Sequence, residues 1–176
     1  QRTRSAWISP DTDAETPYRA LFRHSFSIKN TSSKTIIHIA ADVRYRLYIN
    51  GNLAEEGPVN TGSDYDDSKP ANYLYYSSID ISKWINQGVN QIAIEVFSWA
   101  LEISEHSSTH GKLICEIEQD GITIESTNED WKSIPDSSFS NKTGFLQFTA
   151  KQEPQDWTTA PFSAWTKSSV QKKGQS

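Results

Sequence analysis

The sequence predicts an all-β fold, a two-sheet jelly-roll sandwich, from three observations. Apolar residues recur at every second position in many short runs, turn-forming residues punctuate those runs, and no stretch sustains the 3.6-residue apolar period of a helix. About eight strands at such spacing, with one stray helical turn, suit two packed antiparallel sheets. The 176 residues are enough for a single good core.

The first clear strand is ALFRHSFSIK, in which Phe22, His24, Phe26 and Ile28 share a face. After the turn-rich NTSSK comes TIIHIAA, then DVRYRLYING, where Val43, Tyr45, Leu47 and Ile49 alternate with Arg44, Arg46, Tyr48 and Asn50. One face is apolar and the other keeps two guanidinium groups. Asn50 and Gly51 tolerate the positive φ that a tight hairpin needs. On the polar face, arginine stems can cover apolar surface while their heads pair with carboxylates on the next strand, so both arginines read as structural. A long polar stretch, GNLAEEGPVNTGSDYDDSKPAN, follows, and loops of that length inside a compact domain are often functional.

Strand character returns at YLYYSSIDI. In SKWINQGVN, Ser82 is expected to cap a single helical turn that Gly88 ends in the left-handed conformation. QIAIEVFSW resumes the strand pattern, GKLICEIE and ITIES flank Asp120-Gly121 as a second hairpin, and GFLQFT is a later strand. These elements place a sandwich domain over residues 1–150. From there KQEPQDWTTAPFSAWTKSSVQKKGQS reads as an exit segment over 151–176, its last six residues expected to be disordered.

Composition narrows the function. Seventeen Lys and Arg against twenty-two Asp and Glu leave a formal charge of −5, which argues against a sequence-independent grip on nucleic acid phosphates. Six Trp and seven Tyr exceed what a plain core needs, and a neutral, hydroxyl-rich ligand suits that balance. No apolar run approaches the roughly 18 residues of a membrane span. With no Met and Gln1 at the start, the chain is expected to be a processed product or an excised domain. Cys115 alternates with Leu113 and Ile117 and reads as a buried, inert thiol. Asn30-Thr31-Ser32 and Asn141-Lys142-Thr143 match the N-glycosylation triplet, a pattern too common to weigh.

Glu55, Glu56, Asp64, Asp66 and Asp67 are carboxylates of the type a glycosidase uses, but acids adjacent in a polar loop are usually solvated. Asp64, Asp66 and Ser68 alternate as calcium-loop ligands do; Lys69 and Tyr75 then stand where that loop requires Gly and Glu, which leaves calcium in another geometry as a possible cofactor and no metal site assigned. His106 and His110 are four apart, yet Ser107, Ser108 and Thr109 between them favour a loop over a zinc-binding helix. The aromatic cluster is more promising. Tyr73, Tyr75 and Tyr76, with Trp99, border the long loop, and flat rings beside short polar groups suit the apolar face and hydroxyls of a pyranose. The candidate carbohydrate residues are Asn60, Asp64, Tyr73, Tyr75 and Trp99, against the plainer reading that the rings fill the core or pack on a neighbouring domain.

PYRALFRHSFSI, AADVRYRLYINGNLAEEGP and YYSSIDISKWINQGVNQIAIEV, in that order, resemble the N-terminal accessory domain of bacterial alpha-L-rhamnosidases and related glycoside hydrolases, and EPQDWTTAPFSAWTKSSV is similar to the Trp-punctuated exit of such domains. The DI…G.N.I pattern recurs in many galactose-binding-like sandwiches. The resemblance implies a galactose-binding-like jelly roll, a parent enzyme that removes terminal L-rhamnose by inversion, and catalytic carboxylates on a separate helical barrel. No long amphipathic segments that could build such a barrel occur here. The resemblance thus implies an accessory domain without catalytic residues, its partner the catalytic domain of the same polypeptide, with carbohydrate as a possible ligand, no nucleic acid or membrane partner, and a periplasmic or secreted location. A lectin-like module standing alone and a purely structural spacer are the alternatives.

Overall fold

The computed structural model describes residues 5–10, 19–41, 44–57, 76–97, 111–142, 145–152, 154, 156–159 and 165–170. The strands are β1 (Ile8–Ser9), β2 (Arg19–Ile28), β3 (Thr35–Ala41), β4 (Arg44–Ile49), β5 (Asn52–Gly57), β6 (Ser77–Asp80), β7 (Gly88–Phe97), β8 (Leu113–Gln119), β9 (Ile122–Ser126), β10 (Lys132–Pro135), β11 (Phe139–Lys142), β12 (Phe145–Phe148), β13 (Thr166–Lys167) and β14 (Ser169–Val170). One sheet runs β14-β1-β8-β3-β6, with β9 added along β8. The other runs β13-β10-β2-β7-β4-β5, and β11 and β12 form a separate pair. All pairings are antiparallel. The expected all-β sandwich is the observed architecture.

Alternation builds the core. Phe22, Phe26 and Ile28 of β2, Tyr45, Leu47 and Ile49 of β4, and Ile92, Ile94 and Val96 of β7 meet Ile37 and Ile39 of β3 and Leu113, Cys115 and Ile117 of β8 in one buried cluster. The Cys115 thiol is pushed well up by burial, with Glu125 and Glu116 adding to the effect, so it is an inert packing group at neutral pH. Trp131 closes one end of this core, its indole N–H donating to the Ser126 carbonyl at 3.1 Å while His24 stacks on its ring at 5.0 Å.

The two hairpin turns form where the sequence places them. Asn50 and Gly51 have φ of 49° and 79°, and Asp120 and Gly121 have 52° and 77°, the paired positive values of the mirror-image turn that matches strand twist. The stray helical turn differs in its capping. It is a single 3-10 turn, Ser82–Trp84, and the side chain that accepts from its first N–H is Asp80, at 3.0 Å from the Ser82 nitrogen. The Ser82 hydroxyl instead accepts from the Thr35 backbone N–H at 2.9 Å. Gly88, at φ 94°, opens β7 rather than ending the turn.

Beyond residue 150 the chain returns to the sandwich. Trp157 and Trp165 pack with Leu21, Tyr48, Ala93 and Ile134, covering the outer face of the second sheet. β13 then pairs with β10 and β14 with β1, one in each sheet, with buried Ser168 between them. One open side of the sandwich is thereby strapped. Pro135 fits in β10 because β13 reaches only Lys132 and Ser133, leaving no ladder bond for a proline nitrogen to make. At the other side, β5 and β6 are the terminal strands of the two sheets among the described residues, joined in sequence by residues 58–76.

Candidate functional site

A groove of about 580 Å³ lies at that unstrapped side, lined by Ala54 and Glu55 of β5, Ser78, Ile79 and Asp80 of β6, and Ser82, Lys83 and Trp84 of the 3-10 turn. Among the described residues no strand bridges β5 and β6 here.

Trp84 supplies the groove's aromatic surface, half-buried, with its inner part packed against the core. Its backbone is held from several directions. The Trp84 N–H donates to the Ile81 carbonyl at 3.0 Å, and its carbonyl accepts from the Asn50 amide at 2.9 Å. That amide also donates to the Asn90 carbonyl oxygen at 2.8 Å, while the Asn50 oxygen accepts from the Gln91 N–H at 2.9 Å. Asn90, fully buried, accepts from the Asn86 N–H and donates to the carbonyls of Asn86 and Gly88. Every polar atom of these two side chains is satisfied, which makes a buried polar network rigid rather than destabilising. The recurring pattern of Asp80, Ile81, Gly88, Asn90 and Ile92 thus has a physical content: cap, core anchor, left-handed entry, amide clamp, core anchor.

The groove's charges are mostly engaged. The Ser82 hydroxyl and backbone N–H hold the exposed Asp80 carboxyl below its ordinary range, with Lys34 at 3.7 Å adding to this. Glu55 accepts from the Glu56 N–H at 3.0 Å. Lys83 places its ammonium 4.0 Å from the centre of the Trp84 ring. This arrangement can offer a saccharide an indole face, hydroxyl and carboxylate acceptors and one cation.

Asn60, Asp64, Tyr73, Tyr75 and Trp99 lie outside the described residues, as do the calcium-like run 64–75 and the histidines 106 and 110. Segment 58–75 starts just beyond the groove strand β5 and ends just before β6, and Trp99 is the second residue after β7 in the sequence. Tyr76, at 69% exposure, meets His38 edge-on at 6.0 Å on the outer face of the first sheet. Glu55 and Glu56, expected in the long polar loop, instead lie in strand β5 paired with Leu47 and Arg46, because the hairpin turn at Asn50-Gly51 returns the chain along β4. Trp84 and Lys83 gave no signal, because a short capped turn accounts for them locally. A tryptophan between Lys83 and the core residue Ile85 in the short SKWINQ turn was the available clue. Among the described residues no group of three or more His, Cys, Asp or Glu could hold a metal ion.

The arginine face is structural at Arg46, whose guanidinium pairs with Glu56 at 2.6 Å and Glu95 at 3.4 Å. Arg44 is exposed. A more deeply buried set stands on the same outer face: Arg19 donates to Glu95 and Asp136, both at 2.5 Å, and all three are nearly inaccessible. Burial by itself would lower the Arg19 pKa, and the two carboxylates outweigh it, so the net direction is up.

No protein-family model matches the chain, and no curated protein matches it by sequence. Solved structures do match it. The GH78 family rhamnosidase of Bacillus sp. GL1 superimposes with a TM-score of 0.78 over 97% of this chain at 23% identity, and the alpha-L-rhamnosidase of Dictyoglumus thermophilum with 0.71 over 96% at 22%. The chain has the fold of one part of an alpha-L-rhamnosidase. It spans 18% and 21% of those two chains, about a fifth of their length. The lectin of Pleurotus ostreatus, in a complex with GalNAc, shares the fold more loosely, with a TM-score of 0.55 over 94% of this chain and 41% of that one at 17% identity. No helix among the described residues is long and apolar enough to cross a membrane.

Proposed function

We propose that this chain is a non-catalytic accessory domain of a rhamnosidase-like glycoside hydrolase, packing on the catalytic part of the same polypeptide and holding carbohydrate in the groove between β5 and β6. The observation that carries the reading is the near-complete overlay on only a fifth of two rhamnosidase chains, so that most of such an enzyme lies outside the matched part. The groove supplies the binding half: a fixed indole with acceptors around it is the chemistry a pyranose needs. A lectin of similar fold bound to GalNAc supports the same half. A periplasmic or secreted location accords with the reading, as do carbohydrate contacts by Asn60, Asp64, Tyr73, Tyr75 and Trp99 and a calcium ion held by the acidic run 64–75.

Calorimetric titration of the chain with L-rhamnose and rhamnose-bearing oligosaccharides, with and without calcium, tests the binding half. Saturable binding that Trp84→Ala abolishes in a protein that still unfolds cooperatively, at a lowered melting temperature, is the expected result. Silence from a folded protein would leave only the packing role. Release of rhamnose by this chain alone would overturn the non-catalytic reading.

A further inference from the structure

The groove's charges are unequally occupied. Asp80 is paired by Lys34 and by the Ser82 N–H, and Glu55 by the Glu56 N–H. Lys83, exposed, has no carboxylate partner among the described residues; its ammonium rests on the Trp84 ring at 4.0 Å, a contact of the cation–π kind. The ammonium therefore covers the ring face that a stacked pyranose would use.

The two side chains differ in freedom. The Trp84 backbone is held by the Ile81 carbonyl and the Asn50 amide, and its ring packs on the core, so the ring is more constrained than the lysine. Lys83 has a flexible four-carbon stem and only the ring to hold it. A sugar that stacks on Trp84 displaces the ammonium to the ring's edge, where it meets the sugar's substituents. A hydroxyl there gives an ordinary hydrogen bond in exchange for the lost ring contact. A carboxylate gives a charge-assisted one, roughly twice as strong.

Resting on the carbohydrate reading above, we propose that Lys83 and Trp84 make the groove selective for a saccharide bearing an isolated carboxylate, a uronic acid residue, over its neutral counterpart. Lys34 and Lys83 balance Asp80 and Glu55 across the groove and its rim, so the discrimination is local to the Lys83 ammonium. The chain's net charge of −5 opposes long polyanions, which confines the preference to sparsely charged glycans.

The test titrates the full chain with a glucuronic acid-bearing disaccharide and with the same disaccharide carrying glucose instead, at 20 mM and 500 mM NaCl. The acidic sugar is expected to bind about tenfold tighter at low salt, with the ratio falling toward one at high salt. Lys83→Met should bring the low-salt ratio to about one, and Lys83→Arg should keep it; the site is exposed, so an unchanged melt certifies both folds. Equal binding of the two sugars, or a ratio untouched by Lys83→Met, overturns the selectivity and leaves the carbohydrate reading standing. Binding of neither sugar, nor of any rhamnose-bearing oligosaccharide, overturns both.

Discussion

Arg19 sits where a charge is hardest to keep. It is 4% exposed and faces Glu95 at 1% and Asp136 at 3%, while the Ser138 N–H and hydroxyl also donate to Asp136. Such a set contributes little net stability when complete, yet removing its central cation leaves buried Asp136, among the described residues, with only the Ser138 donors and Glu95 with only the longer Arg46 contact at 3.4 Å. Arg19→Met should therefore destabilise the fold by about 3–5 kcal/mol in urea unfolding, whereas a cost below about 1 kcal/mol would mean that solvent reaches the carboxylates. Asp80 makes a pH-dependent contribution of defined sign. Its folded pKa lies below the ordinary 3.8, so the stability it adds is fully present above that value and is lost as pH falls through the folded pKa. Asp80→Asn should lower the melting temperature at neutral pH, and the gap to the wild type should close below about pH 4. A gap constant from pH 7 to pH 2.5 would show that the cap acts through shape alone.

At the scale of elements, the β4–β5 turn, the 3-10 turn and the start of β7 behave as one unit because Asn50 and Asn90 share a hydrogen bond and jointly hold the Trp84 carbonyl and the Asn86 backbone. Replacing either amide by Ala removes the bond the two share and the bonds to the backbone groups it holds, the Trp84 carbonyl and Gln91 N–H for Asn50 and the Asn86 N–H with the Asn86 and Gly88 carbonyls for Asn90. Each single change should therefore cost about 2 kcal/mol or more and the double change less than the sum. A double-mutant cycle in denaturant measures this; strict additivity would refute the coupling. The turn itself was legible, since Asn-Gly after an alternating strand has one common solution. The clamp was not, because Asn50 and Asn90 are forty residues apart and only the β4–β7 pairing brings them together.

For the whole molecule, the strap at one side and the groove at the other are complementary features. Residues 166–170 bridge both sheets, with the Ser168 N–H donating to the Trp131 carbonyl at 2.8 Å and its hydroxyl to that of Ser133 at 2.9 Å. A chain ending at residue 164 should lose about 2 kcal/mol or more, a fall of roughly 4–8 °C in Tm for a domain of this size. An unchanged melt would reduce the strap to decoration. The composition shift near residue 150 is real, but polar composition does not show that Trp157 lies across Tyr48 at 5.4 Å or that a Cβ on Gly51 would come within 2.7 Å of Thr159. Those contacts make the latter part of the chain a cover for the second sheet.

By itself the sequence determined the all-β class, the faces of β2, β4 and β8, both positive-φ turns and the inert cysteine, because each follows from a period of two or from the conformational preference of one or two adjacent residues. Only the tertiary structure decided which strands are terminal, which side of the sandwich is strapped, and that Glu55, Asp80, Lys83 and Trp84 face one groove. Those are consequences of pairing between distant segments, and the free energy of such pairing depends on the whole set of buried surfaces rather than on any local pattern.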